Sequence, residues 1–356
     1  MNRNLYVDVH VLQTVPASCV NRDDTGSPKT AVYGGTTRAR VSSQAWKKAM
    51  RDMFRSLFDE KELGLRTKRI PELLAEEINA LTPAANALDA AMKALELAGI
   101  GLDKKKNTTD ALFFISRAQL KALAQLTVDG ETDKKKYSAA LKAFPSIDNA
   151  LFGRMVASDP SLNYDAAAQV AHSISTHTVH NEYDYFTAVD DCSPEDNAGA
   201  GHLGTVEFNS STLYRYATVN GNVLSENLGV DTAKAIRGFL EAFVRSMPTG
   251  KQNTFANRTL PDLVYVTIRE DQPVNLAGAF EKPVSGKDGY AEESVRRLFA
   301  YADTVYTNFA GAPALALCAC NYPMTSDGTE KMPLSALLDR VEAYAEQRLA
   351  DGKGGK

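Results

Sequence analysis

The chain has 356 residues, enough for about two domains or one elaborated domain, and this length excludes a small disulfide-stapled fold. Hydrophobic residues make up 44% and charged residues 24%, which supports a sizeable core and argues against wholesale disorder. The net charge of −4 taken alone argues against a nucleic-acid partner, but residues 1–55 hold nine Lys or Arg and four Asp or Glu. That segment therefore carries +5 and the remainder −9.

The sequence predicts a cytoplasmic protein with no membrane partner. No apolar run approaches the roughly 20 residues needed to cross a bilayer, and residues 1–11 interleave polar and apolar positions, unlike a signal peptide. The four cysteines, at positions 19, 192, 318 and 320, form no CxxC pair. We therefore expect neither a structural zinc site nor disulfides.

The N-terminal part of the chain predicts a strand, a loop and a helix. Apolar and polar residues alternate over residues 4–12, which is typical of a strand with one buried face. A loop rich in turn-forming residues then leads to Ser42, a candidate N-cap. The helix beyond it is amphipathic, with apolar residues on one face and cations on another. The apolar positions are Trp46, Met50, Met53, Phe54 and Leu57, and the cations are Lys47, Arg51 and Arg55.

The middle of the chain predicts an insertion and an arm. Residues 71–144 are rich in Ala and Leu and predict several helices, followed by a further helix over residues 163–176. Strand-like segments at 183–189, 205–208 and 213–219 flank a run that cannot pack a core, which predicts a long hairpin over residues 186–219. From Glu182 to Asp231 there are nine acids and one base, Arg215. Bulk attraction of phosphate is therefore not the function of this arm, and a nucleic-acid contact there would use apolar wedging by Phe186 or Leu203. The alternative is that both side chains pack the base of the hairpin.

The C-terminal part completes a fold pattern. It predicts helices over 231–247, 292–309 and 333–349 and strands over 263–268 and 313–321. Without the insertions, the first six elements follow a βαββαβ order. We therefore predict an α+β protein with a ferredoxin-like or RRM-type antiparallel sheet covered by helices.

The densest chemical signal lies in residues 34–44, which read GGTTRARVSSQ and lead into Lys47, Lys48 and Arg51. Glycines allow close backbone approach, and a helix N-terminus with Arg, Lys, Ser and Gln offers donors for phosphate oxygens. An extended polyanion fits this pattern, whereas the alternative is a solvated cationic face on an ordinary helix. The basic loop at residues 251–253 and the lysines of the insertion are weaker signals of the same kind, and for those lysines surface solubility is the alternative.

No pattern for catalysis or for a cofactor is found. His172, His177, His180 and His202 have no recognised metal-ligand spacing, so we expect no metal. Asp23 and Asp24 would need to converge on Mg²⁺ to cut RNA, and a capped turn is the simpler interpretation. We expect no cofactor and no enzymatic activity, since no nucleophile motif is present.

Several segments together resemble the CasC family, the backbone subunits of the type I-E CRISPR surveillance complex Cascade. The resemblance begins with SCVNRDD at 18–24, YGG at 33–35, RARVSSQ at 38–44 and KKAMR at 47–51. It continues with GRM at 153–155, FTAVDD at 186–191, HLGT at 202–205, YRYA at 214–217, ENLG at 226–229 and AFEK at 279–282. It covers nearly the whole chain, and the helical insertion matches least.

The resemblance implies a hand-shaped subunit. The palm is RRM-like and spans residues 1–58, 151–185 and 220–351, the fingers are the helical insertion at 59–150, and the thumb is the hairpin at 186–219. Residues 352–356 are expected to be a disordered tail. Copies would stack head to tail along one CRISPR RNA and assemble with other Cascade subunits, each thumb displacing one base at regular intervals. The guide would then pair with the target DNA strand, so that base pairing reads the sequence.

The resemblance also implies roles for individual residues. The RNA-binding candidates are Arg22, Lys29, Arg38, Arg40, Ser42, Gln44, Lys47, Arg51, Met155 and Lys251, with Met155 at the displaced nucleotide. The thumb wedge comprises Phe186, Thr187 and Leu203, and the DNA-facing lysines of the fingers are Lys134, Lys135 and Lys142. Two alternatives stay open: an RNA-cleaving backbone subunit of the type III kind, and a generic RRM-like protein that binds single-stranded RNA.

Overall fold

The computed structural model describes residues 4–156, 159–188, 192 and 202–353, and a long mixed sheet lies at its centre. The strands are β1 (Tyr6–Ser18), β2 (Thr30–Tyr33), β3 (Thr36–Val41), β4 (Gly64–Thr67), β5 (Leu102–Asp103), β6 (Thr108–Thr109), β7 (Phe113–Ser116), β8 (Ala168–Val170), β9 (Ser173–Ser175), β10 (Glu182–Ala188), β11 (His202–Asn220), β12 (Leu263–Arg269), β13 (Leu315–Cys320) and β14 (Glu330–Lys331). The helices are α1 (Ser43–Leu57), α2 (Ile70–Leu81), α3 (Ala87–Leu97), α4 (Arg117–Val128), α5 (Lys134–Lys142), α6 (Ile147–Phe152), α7 (Gly221–Leu228), α8 (Thr232–Arg245), α9 (Gln252–Phe255), α10 (Ala291–Val305) and α11 (Leu334–Lys353).

The order of the strands confirms the predicted α+β class and the RRM-like palm. Strand β1 pairs antiparallel with β11 on one side and with β12 on the other. The far side of β11 pairs antiparallel with β8 and β9. Helix α1 and the fingers connect β1 to β8, and α8 connects β11 to β12. This is the βαββαβ connectivity with insertions in its loops.

Both faces of the sheet are covered. On one face, Val7, Val9 and Val11 of β1 pack in a core built largely from α1, α8 and α11. On the other, Leu12 of β1 packs beneath α10 with residues of β11, β12 and β13. The prediction of a strand with a single buried face is therefore wrong for β1, since Asp8 and His10 are also fully buried. Asp8 accepts hydrogen bonds from the hydroxyl of Tyr216 and the backbone N–H of Val274, and Nδ1 of His10 shares a hydrogen bond with the hydroxyl of Tyr214.

The fingers have a core of their own. Helices α2, α3, α4 and α5 enclose an apolar cluster that includes Ile70, Leu95, Leu123 and Leu141. The predicted helices of this region are present, but two small strand pairs, β4 with β7 and β5 with β6, were not expected. Strand β7 leads directly into α4, whose N-cap Ser116 accepts a hydrogen bond from the backbone N–H of Gln119.

The predicted helix over residues 163–176 is wrong. The chain there forms β8 and β9, which pair with β11, and β9 also pairs with β3. Pairing along the sheet outweighs the helix propensity of the alanines, because it satisfies the backbone and buries alternate side chains. Ser173 and Ser175, for example, are fully buried on either side of half-buried Ile174.

Several further boundaries differ from expectation. Strand β1 runs to Ser18 rather than to residue 12, and the predicted loop before Ser42 contains β2 and β3, which pair with each other. The strand-like segments at 205–208 and 213–219 are one continuous strand, β11, which pairs with β10 at its start and with β1 further along. Helix α11 continues to Lys353, so Gly352 and Lys353 of the predicted tail are helical, and residues 354–356 lie outside the described residues. The tip of the predicted thumb, residues 189–191 and 193–201, also lies outside them. Over the part of the chain that the structure describes, no helix is both long and apolar enough to cross a membrane.

Candidate nucleic-acid interface

A cavity of about 470 Å³ opens where helix α1 meets the fingers. Helix α1 contributes one wall, strands β4 and β7 of the fingers a second, and the chain just after α6 a third. The lining residues are Gln44, Lys47, Lys48, Arg51, Arg66, Leu112, Phe114, Phe152, Gly153, Arg154 and Met155. The structure thus brings together four predicted RNA-binding residues, Gln44, Lys47, Arg51 and Met155, from positions more than 100 residues apart.

The lining of this cavity combines cations with apolar side chains. It includes five Lys or Arg residues, and none of the described residues that line it is acidic. Met155 is 87% exposed and Leu112 is 55% exposed, which is unusual for such apolar side chains. A positively charged groove with exposed apolar and aromatic groups suits a single-stranded nucleic acid, whose phosphates need cations and whose bases need apolar faces.

Helix α1 is positioned for this role by the palm. Ser42 is its N-cap, as predicted, and accepts a hydrogen bond from the backbone N–H of Ala45 at 3.3 Å. The buried face of α1 carries Trp46, Met50 and Phe54, so the cationic ridge is turned away from the core. Because Lys47 and Arg51 are four residues apart, they lie one above the other on that helix.

The two main cations of the ridge rest on aromatic rings. The ammonium of Lys47 lies 5.7 Å from the ring centroid of Phe152, and burial lowers the pKa of Lys47. The guanidinium of Arg51 lies 4.5 Å from the ring centroid of Phe114. Its Nε–H donates to Oδ2 of Asp148 at 3.1 Å. Both cations are therefore held in defined places rather than extended freely into solvent.

A second group of candidates lies near the N-terminus of α1. Burial lowers the pKa of His172, and the nearby charges of Arg40 and Lys29 lower it further. The backbone N–H of Ser43 donates to Nδ1 of the same imidazole at 3.2 Å. One positively polarised region is therefore formed by Lys29, Arg40 and the start of α1, as the sequence predicted. The position of His172 beside this region was not predicted.

Arg22 and Lys251 come together through backbone packing. Gly250 approaches the carbonyl groups of Cys19 and Val20 so closely that a Cβ at this position would clash with them. The charges of Arg22 and Lys251 both act on the Cys19 thiol, whose pKa burial raises. Lys251 itself has a left-handed backbone, with φ of 44°. The structure therefore places two predicted cations from distant parts of the sequence around one short segment.

Arg38 and Ser42 differ from the other candidates because they are buried. The guanidinium of Arg38 is fully buried and donates to the carbonyl oxygens of Ser175 and Phe280, both at 2.9 Å. Ser42 is 7% exposed, and its hydroxyl serves the N-cap. We therefore give both residues structural roles and leave them out of the direct contacts proposed below.

The predicted wedge residues lie on the hairpin of β10 and β11, but on two different faces. Thr187 is directly opposite Leu203 in the ladder, and Phe186 is opposite Gly204. Since neighbouring side chains of a strand alternate between faces, Thr187 and Leu203 share one face and Phe186 occupies the other. A Cβ on Gly204 would clash with the ring of Phe186, so this ring lies across the glycine. Leu203 remains 56% exposed.

The predicted DNA-facing lysines lie on α5 of the fingers, and all three are exposed. Tyr137 and Leu141 anchor the opposite side of this helix in the fingers core. Lys135 and Lys142 are seven residues apart and therefore share a face. The neighbouring Lys136 is paired with Glu131.

The acidic pair in the loop before β2 has a local explanation. Oδ1 of Asp23 accepts hydrogen bonds from the hydroxyl of Thr25 at 2.7 Å and from the backbone N–H of Ser27 at 3.0 Å. These bonds lower the pKa of Asp23, with the Thr25 hydroxyl as the largest cause. This is the capped turn that the sequence suggested. Among the described residues, no group of three or more His, Cys, Asp or Glu could hold a metal ion.

Sequence reasoning missed several residues of the interface. Arg66, Leu112, Phe114 and Phe152 line the cavity beside α1, and none of them belongs to a recognisable local motif. On the hairpin, Tyr183 and Tyr185 share a face with Leu203 and are 68% and 65% exposed. A signal did exist for these two tyrosines, since alternate aromatic residues in an exposed strand indicate a contact surface.

Comparisons with known proteins identify the family of this chain and structures similar to it. The model of the CT1975-like protein family matches residues 7–343. A chain of a CRISPR RNA-guided surveillance complex in a pre-nicking state is 35% identical, with a TM-score of 0.84, and the match covers 96% of this chain and 100% of that chain. A chain of another CRISPR RNA-guided surveillance complex is 32% identical, with a TM-score of 0.64, and the match covers 96% and 99%. No significant match is found among the curated proteins.

Proposed function

The chain belongs to the CT1975-like protein family, and we propose that it is a non-catalytic backbone subunit of a type I-E CRISPR surveillance complex. Its likeness to chains of CRISPR RNA-guided surveillance complexes extends over 96% of its length, so it is a subunit of such a complex. Its partners in this proposal are the CRISPR RNA, further copies of itself, other subunits of the complex and the target DNA strand. The proposed site of action is the cytoplasm.

One observation carries the proposal: the cavity between α1 and the fingers. Its lining includes five cations and no described acid in a chain whose net charge is −4. Lys47 and Arg51 would hold phosphates, while Met155 and Leu112 would contact a base. These contacts recognise the backbone and shape of RNA and carry no sequence code, as a subunit serving any guide requires.

The thumb would act by a different kind of contact. The described acids of the β10–β11 hairpin, which include Glu182, Asp184 and Glu207, disfavour phosphate, whereas apolar Leu203 and its cross-strand partner Thr187 are both exposed. We assign the displacement of a base to this pair, with Phe186 supporting the hairpin from the other face. The exposed lysines Lys134, Lys135 and Lys142 would guide the DNA strand along the fingers.

The type III alternative finds little support in this chain. Asp23, which would have to hold Mg²⁺, is engaged in its own turn through Oδ1. We expect no cleavage of complementary RNA in the presence of Mg²⁺. Regularly spaced cuts that disappear in Asp23→Ala or Asp24→Ala would contradict this assignment. The generic alternative, an RRM-like protein, would bind unrelated RNAs as a monomer.

The phosphate contacts can be tested by substitution. Lys47→Ala and Lys251→Ala should each weaken RNA binding equally for all guide sequences. Each should also reduce the magnitude of the salt slope, the slope of the logarithm of the binding constant against the logarithm of the salt concentration, by about 0.7. Lys93→Ala removes an exposed lysine of α3 and is the matched control, for which both quantities should stay unchanged. A change in preference among guides with an unaltered salt slope would contradict the proposed role.

A further inference from the structure

A single buried carboxylate lies behind the cavity, where the palm and the fingers meet. Asp148 is 2% exposed and belongs to α6, the short helix at the end of the fingers. Its Oδ1 accepts hydrogen bonds from the backbone N–H of Gly64 and from the hydroxyl of Ser146, both at 2.8 Å. Its Oδ2 accepts from the Nε–H of Arg51 at 3.1 Å. Asp148 therefore connects the first strand of the fingers, α6 and the cationic helix α1.

The surroundings leave little freedom at this junction. A Cβ on Gly64 would come within 2.6 Å of the ring of Phe114 and within 3.2 Å of Oδ1 of Asp148. The Phe114 ring in turn lies 4.5 Å from the guanidinium of Arg51. The guanidinium is thus fixed both by the carboxylate and by the ring, and hydrogen bonds to a charged acceptor are the stronger kind.

The orientation of Arg51 matters because it lines the cavity. Its side chain is 27% exposed, and the contact with Asp148 uses Nε–H, one of the five donors of the guanidinium. A guanidinium held at one edge presents its other donors in a fixed plane, which suits the two oxygens of a phosphate. A freely rotating cation would have to lose that freedom on binding.

We propose that Asp148 is a positioning residue that orients Arg51 towards a phosphate of the bound RNA. The inference deepens the proposed function and rests on it. It predicts an unusual direction for the change in RNA affinity: removing this negative charge should weaken the binding of a polyanion. Simple electrostatics predicts the opposite, because a chain with one acid fewer attracts phosphate more strongly.

The test compares two isosteric neutralisations in the full-length chain, with a fluorescently labelled single-stranded RNA of mixed sequence and a salt series. Asp148→Asn should weaken binding by about tenfold and lower the magnitude of the salt slope by about 0.7. The matched control is Asp52→Asn, at a residue of α1 next to Arg51. This substitution frees the exposed Lys48 from its 2.6 Å ion pair with Asp52. It should bind as well as the wild type or more tightly.

Two further variants separate positioning from folding. Arg51→Lys keeps the charge but loses the planar fork, so it should resemble Asp148→Asn even if the latter is unstable. Adding Asp148→Asn to Arg51→Ala should cause no further loss of affinity, because Asp148 acts through Arg51. Additive losses, or an Arg51→Lys variant that binds like the wild type, would overturn the inference.

The outcomes also separate the inference from the proposed function. If the wild type binds RNA in a salt-sensitive way and Asp148→Asn and Asp52→Asn have equal RNA affinities, the role of Asp148 is overturned. The proposed function is then unaffected. Absence of RNA binding by the wild-type chain in a buffer of low salt would overturn both.

Discussion

At the scale of single residues, the arginines show why a count of charges is a poor guide to a binding site. Arg38, Arg154 and Arg215 are each at most 4% exposed. Arg215 stacks 3.8 Å from the ring centroid of Trp46 and donates to Gln13, and burial lowers its pKa to about 9. Arg154 donates to the carbonyl oxygen of Leu141 at 2.9 Å, and burial lowers its pKa to about 10. These side chains hold elements together, and of the three only Arg154 also lines the cavity that Lys47 and Arg51 face.

Arg38→Met tests this distinction. The substitution leaves the carbonyl oxygens of Ser175 and Phe280 without their charged donor. The free energy of unfolding should fall by about 2–4 kcal/mol, because buried acceptors lose strong hydrogen bonds. Chemical denaturation measures this loss. The salt slope of RNA binding should stay at the wild-type value, and a drop like that expected for Lys47→Ala would mean that Arg38 contacts phosphate after all.

Asp8 in the centre of β1 makes the stability of the fold depend on pH. Burial raises its pKa to about 6, against the hydrogen bonds from the backbone N–H of Val274 and the hydroxyl of Tyr216 that lower it. Since the folded state holds this proton more tightly than the unfolded chain, the stabilisation is complete below about pH 4 and is lost as the pH rises through 6. The lost stabilisation is about 3 kcal/mol.

The comparison with Asp8→Asn isolates this contribution. The free energy of unfolding of the wild type, relative to that of the variant, should fall by about 3 kcal/mol between pH 3 and pH 7. Denaturant titrations at several pH values measure it. A difference that does not change with pH would contradict the assignment to Asp8.

At the scale of elements, the hairpin of β10 and β11 assigns different tasks to its two faces. The face with Thr187 and Leu203 is exposed and also carries Tyr183 and Tyr185, whereas on the other face Phe186 lies across Gly204. Further along the same strand, Val206 is buried and Phe208 packs near Phe255. One face therefore anchors the hairpin, and the other remains available for a wedge.

Leu203→Ala should act on base displacement rather than on affinity. The side chain carries no charge, so most of the electrostatic binding to RNA should persist. The loss of apolar volume should alter the reactivity of the displaced bases in chemical probing of the bound RNA. Thr205→Ala, on the same face and two residues further from the tip, is the matched control. Unchanged base reactivity in Leu203→Ala would argue against the wedge.

The sequence correctly predicts elements whose patterns are local. It does not predict segments whose secondary structure depends on pairing with distant strands. Helix α1 was predictable because its N-cap and its apolar spacing are both local features. Strands β8 and β9 were not, because their alanines and serines become strands only by pairing with β11. The cavity follows the same rule: Lys47 and Arg51 stood out in a basic stretch, but Phe114 and Asp148 join them only through the fold.

At the scale of the whole molecule, the fingers and the palm are separate cores that share one junction. The fingers enclose their own apolar cluster, and the palm encloses clusters on both faces of its sheet. The cavity lined by Lys47 and Arg51 opens at the junction of the two. A rigid binding groove therefore depends on how the two cores are fixed together, which is where Asp148 lies.

The most direct test of the backbone role is the mass of the assembled particle as a function of guide length. The chain is co-expressed with a CRISPR array, the enzyme that processes it and the other subunits, and the particle is analysed by size exclusion with multi-angle scattering and absorbance ratio. We predict protected RNA and a mass that rises in steps of one 38.6 kDa subunit with its RNA as the spacer is lengthened. A mass that is independent of spacer length, or an RNA-free monomer at every length, would contradict the backbone role.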